Sequence, residues 1–175
     1  MQSTVSSYVD DTRVTRSITN PDADCLSMQQ DLQAIYKWAE EVNMVFNGDK
    51  FEMLRFWPGK SPRPDHLYSD QDGGHIEEKT HLRDLGVQVS SDLTFNIHIE
   101  NVVSASTRMV GWVLRTFRRR SKTTMLTLWK SLIQSKMDYC SQLWSPNDQA
   151  AISKLEGVAR SFTARVANME GLDYW

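Results

Sequence analysis

From Phe95 onward the apolar residues fall three and four positions apart; before it they come in short runs separated by Gly, Pro, Asn and Asp. The later pattern predicts helices, because side chains at that spacing share one helical face. Phe95, Ile99, Val102, Val103, Met109, Val110, Val113, Leu114 and Phe117 form one long stripe. Met125, Leu128, Trp129, Leu132, Ile133 and Met137 form a second, and Ile152, Leu155, Val158, Phe162 and Val166 a third. Ser145-Pro146-Asn147 separates the last two, since proline cannot continue a helix and Asn147 can cap one. Three such stripes can bury one another as a bundle.

The earlier part is mixed. Residues 3–7 and 12–18 are β-leaning runs on either side of Tyr8-Val9-Asp10-Asp11, which predicts a hairpin with the two aspartates at its tip. A helix is expected to start at Asn20-Pro21-Asp22, carry Met28, Leu32, Ile35, Tyr36, Ala39 and Val42 on one face, and end before Asn43. Asn47-Gly48 signals a turn, a strand should occupy 52–57, and the Pro-, Gly- and Asp-rich stretch 58–74 reads as a loop. Another strand follows at 85–89. The fold class expected is α+β.

Composition alters this picture little. At 175 residues and 40% apolar content, the chain can bury one core or two small ones. No run approaches the ~20 apolar residues of a membrane span, and the beginning lacks the apolar stretch of a signal peptide. The expectation is an intracellular protein, cytoplasmic or nuclear and not secreted. Cys25 and Cys140 lie far apart and suit reduced structural thiols. His75 and His81 lack the partners of a zinc site.

Charge is more informative. The net charge of -2 divides into about -8 for residues 1–100 and +6 for residues 101–175. The densest basic cluster is Arg115, Arg118, Arg119, Arg120 and Lys122, between the first two helical stripes, and Lys130 and Lys136 extend it. Arginine forks match phosphate oxygens; the alternative role is to complement the carbonyl end of a helix. Trp129, Tyr139, Trp144 and Phe162 fall at core spacing and are assigned to packing.

Adjacent aspartates raise each other's pKa, so they are best tolerated where a cation is shared. Magnesium prefers hard oxygen ligands and is held by one or two carboxylates plus substrate phosphates, the arrangement phosphoryl transfer requires. The alternative for an isolated Asp-Asp pair is a solvated turn.

Four blocks together carry a resemblance: Tyr8-Val9-Asp10-Asp11; Trp38-Ala39-Glu40-Glu41 leading to Asn47-Gly48-Asp49-Lys50; Leu85-Gly86-Val87; and Leu93-Thr94-Phe95. In this order they resemble the reverse transcriptases of non-LTR (LINE-type, jockey/CR1-like) retrotransposons. The resemblance implies the C-terminal part of a polymerase palm over residues 1–93 and an all-helical thumb-like region over 94–175. It implies an RNA-directed DNA polymerase in which Asp10 and Asp11 hold Mg2+, with Mn2+ as an alternative. The resemblance implies that Tyr8 lies near the primer end and that Lys50 meets the leaving pyrophosphate; the alternative for Lys50 is a solvated turn lysine. The implied partners are an RNA template, a DNA primer and deoxynucleoside triphosphates.

The family's palm also uses an aspartate upstream of the hairpin, and only seven residues precede Tyr8 here. The expectation is therefore a fragment without its N-terminal palm and fingers, inactive as an isolated chain. The alternatives are a nucleic-acid-binding module or an inert remnant of the element.

Overall fold

The computed structural model describes residues 2–57, 64–118 and 120–166. The chain divides into two compact units, Met1–Thr80 and His81–Trp175.

The first unit opens with an antiparallel hairpin, β1 (Thr4–Tyr8) and β2 (Asp11–Thr15), in which Tyr8 faces Asp11 and a two-residue turn remains. Helix α1 (Pro21–Glu41) begins where expected. Asn20 accepts from the Ala23 amide, proline occupies the first turn, and Asp24 takes the Thr19 and Asn20 amides at 2.8 and 2.7 Å. Its inward face buries Cys25 and Ala39, with Met28, Leu32, Ile35 and Tyr36 half-buried. Val42, expected on this face, is exposed, because the helix ends one residue earlier and Val42 caps it.

After a 3-10 turn at Gly48–Lys50 comes β3 (Glu52–Leu54), shorter than the 52–57 expected. It stops where Arg55 turns to donate to the carbonyls of Pro64 and His66. This ties down the described part of the loop. Strand β4 (Glu77–Lys79) then pairs with β3 in parallel, Glu52 opposite Glu77. The Gln29 side-chain amide stands in for a strand neighbour at Ser69, donating to its carbonyl and accepting its N–H.

The second unit starts with a hairpin where one strand is expected. Strands β5 (His81–Asp84) and β6 (Val87–Ser90) flank a turn at Leu85-Gly86, both residues with positive φ (44° and 91°). Two central residues with positive φ make a type I′ turn, whose twist suits a hairpin. Leu85-Gly86 is therefore the reversal and not the start of a strand.

Helix α2 (Asn96–Thr116) matches the first predicted stripe. The second is interrupted: α3 (Lys122–Leu128) passes through a π-helical segment, Trp129–Gln134, before α4 (Ser135–Asp138). Hydroxyls accompany the wider turns. Ser131 donates to the Thr127 carbonyl at 2.9 Å and Ser135 to that of Ser131 at 3.0 Å, taking up carbonyls beside the altered ladder. A short α5 (Ser141–Trp144) precedes α6 (Gln149–Thr163), which is capped by Asp148 rather than by Asn147.

The main core of this unit gathers Val110, Val113, Leu114, Met125, Ile133, Val158, Phe162 and Val166 from all three stripes. A smaller one joins Val87 of the hairpin to Ile99, Trp144 and Ala151. Trp144 and Phe162 are buried and Trp129 packs on Phe162 at 5.1 Å, as their spacing indicates. Tyr139 is half exposed and has another use, described below.

Candidate functional site

The aspartate hairpin is anchored at its base and open at its tip. Asp31 of α1 is buried and accepts the backbone N–H groups of Gln2 (2.9 Å) and Ser3 (2.6 Å). Arg16, just beyond β2, donates to Asp24 at 2.9 Å and to the Gln2 side chain at 2.8 Å, and lies 3.8 Å from Asp31. Both carboxylates respond to these partners. Backbone donation from Asn20, the Arg16 guanidinium and the Thr19 amide hold Asp24 down at about 2. Burial pushes Asp31 up, but the hydrogen bonds from Ser3 and Gln2 outweigh it and leave its carboxyl below the usual range.

Beyond this base nearly every hairpin residue is exposed, including Tyr8, Val9, Asp10 and Asp11. Val9 and Asp10 form the turn, and Val9 has φ 56°. A positive φ at the first central position alone is the type II′ pattern, normally given to glycine; a β-branched residue there is strained. The tip therefore presents both carboxylates to solvent on a backbone that local preference alone would not select.

Lys50 ends the 3-10 turn that Asn47 caps through the Asp49 amide, and its side chain is exposed. Nearby, Tyr36 meets Phe46 and Phe51 edge-on, and Phe46 and Phe51 are tilted to each other, with centroids 5.7–6.0 Å apart. Burial and the Asp70 carboxylate push the Tyr36 hydroxyl up to about 12. A cavity of about 810 Å3 lies between the second half of α1 and the loop around Asp70. Neither the tip aspartates nor Lys50 is among the described residues that line it.

Two tip carboxylates of hard donor character suit magnesium's habit of taking one or two carboxylates and completing its shell with water and substrate phosphate. Among the described residues, no group of three or more His, Cys, Asp or Glu is gathered where it could hold a metal ion.

In the second unit, Arg115 stands exposed in the last turn of α2, Arg118 in the following linker, and Lys122 at the first turn of α3. Arg120 is exposed but donates to the Leu114 carbonyl at 3.2 Å, so it also closes the end of α2. Arg119 lies outside the described residues. Sequence reasoning missed Trp112, which is half exposed on α2 and meets Phe117 edge-on at 6.2 Å. Its signal was available: Arg108, Trp112 and Arg115 are spaced i, i+4, i+7 and share a face. His98 was also missed, although it falls three residues after Phe95 and four before Val102 on the buried stripe.

No helix among the described residues is long and apolar enough to cross a membrane. Neither a family model nor a solved structure matches the chain. The chain is similar to the RNA-directed DNA polymerase from mobile element jockey of Drosophila melanogaster, 23% identical over 154 residues, or 86% of this chain. It spans only 16% of that polymerase's length. The similarity runs along most of the chain and supports a reverse-transcriptase-like relationship.

Proposed function

We propose that this chain is the segment of a retrotransposon reverse transcriptase that carries the palm's carboxylate hairpin, over residues 1–93, and continues into the thumb, over residues 94–175. The observation that carries this reading is the hairpin tip. Asp10 in the two-residue turn and Tyr8 and Asp11 on either side of it stand exposed, in a chain whose similarity to the jockey polymerase covers most of its length.

In this reading the parent enzyme joins a primer 3′-hydroxyl to the α-phosphate of a deoxynucleoside triphosphate along an RNA template. Magnesium, when bound, supplies charge neutralisation at the phosphates. Asp10 and Asp11 are its ligands from this chain, Tyr8 flanks the primer end, and Lys50 meets the departing pyrophosphate. Because two carboxylates are a partial set, the chain by itself holds metal weakly and does not extend a primer.

Manganese, a paramagnetic stand-in, tests the ligand assignment. Backbone signals around Asp10 and Asp11 should broaden at millimolar Mn2+ and recover in D10N/D11N; broadening elsewhere, or none, rejects the assignment. Primer extension on an RNA template by the purified chain, abolished by D10N, would reject its inactivity.

The exposed Trp112, on the α2 face it shares with Arg115, favours a second reading, in which the chain binds nucleic acid without catalysis. Binding of a primer–template duplex should then weaken with salt, and R118A should lower the salt slope by about one unit. Absence of binding at low salt rejects it.

A further inference from the structure

A second positive site lies apart from the arginine run. In the unit His81–Trp175 the β5–β6 hairpin, α2 and α4 line a cleft of about 600 Å3. Three cations reach it from three elements: Arg83 from β5, Arg108 from α2 and Lys136 from α4. None of its described lining residues is acidic. None of the three cations is ion-paired among the described residues; the side-chain hydrogen bond of Arg108 goes to the neutral Ser104 hydroxyl at 2.7 Å. Cations brought together this way repel one another unless an anion is shared.

His98 adds to the imbalance. It is buried in the lining, with its ring edge-on to Trp144 at 5.1 Å, and its Nδ1 accepts the Gln88 N–H at 3.2 Å. Accepting at Nδ1 requires the neutral ring to carry its proton on Nε2. That Nε2–H is buried and has no acceptor among the described residues. An unmatched buried donor is uncommon and calls for an explanation. Here it contributes a fixed partial positive charge to a site that already has three full ones. The amides of Gln88 and Asn101 supply further donors.

We propose that this cleft seats one phosphate group of a nucleic-acid strand, held by Arg83, Arg108 and Lys136. This rests on the nucleic-acid reading above. A strand is favoured over a free anion for two reasons. The cleft is much larger than a phosphate, leaving room for the sugars on either side. Arg108 also begins the face that continues through Trp112 to Arg115, about 10 Å along α2, so a strand leaving the cleft meets the basic cluster. Lys136, which its sequence position assigns to that cluster, lines the cleft.

The test uses the isotope-labelled full chain, observed by NMR with inorganic phosphate and then with a short RNA–DNA duplex. Phosphate should shift the amides of Gly86, Gln88, Asn101 and Ala105. R108Q/K136Q should weaken its binding about tenfold, whereas K154Q, at an exposed residue of α6, should leave it unchanged. The substituted side chains are exposed, so thermal unfolding should match the parent chain. With the duplex, R108Q/K136Q should lower the salt slope by about one unit. Phosphate shifts centred on Arg118 and Arg120, or a double variant that titrates like the parent, overturn the proposal. Duplex binding that ignores Arg108 and Lys136 overturns the cleft alone. Phosphate binding without duplex binding at low salt overturns the strand as its source, together with the nucleic-acid reading.

Discussion

The two antiparallel hairpins of this chain share a plan and differ in where they are fixed. Each turns through two residues, and each places a non-glycine residue at positive φ there, Val9 in one and Leu85 in the other. The β1–β2 hairpin is held at its base by Asp31, Asp24 and Arg16, and its tip stands in solvent. The β5–β6 hairpin is held along its length. Val87 enters a hydrophobic core, the Gln88 amide donates to His98, and the Tyr139 hydroxyl donates to the Leu85 carbonyl at 2.8 Å. The Tyr139 ring also lies against Gly86, where an added Cβ would come within 3.3 Å of it. Base fixation by charge leaves a tip available to a ligand; tip fixation by packing makes a hairpin part of a wall.

The most damaging way to break this contrast is Asp31→Ala. It removes the acceptor of two backbone N–H groups and leaves the half-buried Arg16 with one carboxylate fewer. The expected loss is about 2–3 kcal/mol, with hydrogen exchange rising in β1 and β2 while β5–β6 stays protected. Equal loss of protection in both hairpins would mean that the base contacts are not specific to the first.

Acid should separate the hairpins next, and the sign is the same for both. Burial lowers the His98 pKa from its ordinary 6.5, so the unfolded chain takes up that proton more readily. The stability His98 contributes is present above about 6.5 and lost as pH falls through its lower folded value. Asp24 and Asp31 are depressed below 3.8, so their contribution is full above that pH and is lost as pH falls below it, for Asp24 toward about 2. NMR followed from pH 7 downward should show the Gln88 amide moving first and those of Gln2 and Ser3 last. The reverse order would contradict these assignments.

Smaller effects sharpen the comparison at the tips. Tyr139→Phe should cost about 0.5–1 kcal/mol and shift the Leu85 and Gly86 resonances, with β1–β2 untouched. Val9→Gly should stabilise by about 0.5–1 kcal/mol through relief of the positive φ, partly offset by the greater freedom of glycine when unfolded. A destabilised Val9→Gly chain, read by denaturant midpoint, would show that the valine side chain makes a contribution its exposure does not suggest.

Much of the helical part was legible because burial is periodic. The stripes from Phe95, Met125 and Ile152 predicted the bundle core, and Asn20-Pro21 marked the start of α1 by cap chemistry alone. The aspartate hairpin was legible because β-leaning runs flank a short polar turn. The β5–β6 hairpin was not, because Leu85-Gly86 reads as the first residues of a strand unless positive φ is known. The parallel pairing of β3 with β4 was hidden for another reason: it joins residues more than twenty positions apart, and nothing local records that partnership. The cleft cations were illegible as a group, since Arg83, Arg108 and Lys136 meet through tertiary structure.

The π-helical segment at Trp129–Gln134 has a consequence in the language of insertions and deletions. A helix advances about 100° per residue, so the residue absorbed by the wider turns rotates everything after it by that amount. Lys136 and Tyr139 owe their directions, toward the cleft and the Gly86 turn, to that phase. Removing a single residue within 129–134 would restore a regular helix and keep both side chains in that phase, whereas closing the wider turns without a deletion would swing both away together. Residue count and helical pitch at this point must therefore match for the site to keep its geometry, whichever residues fill the segment.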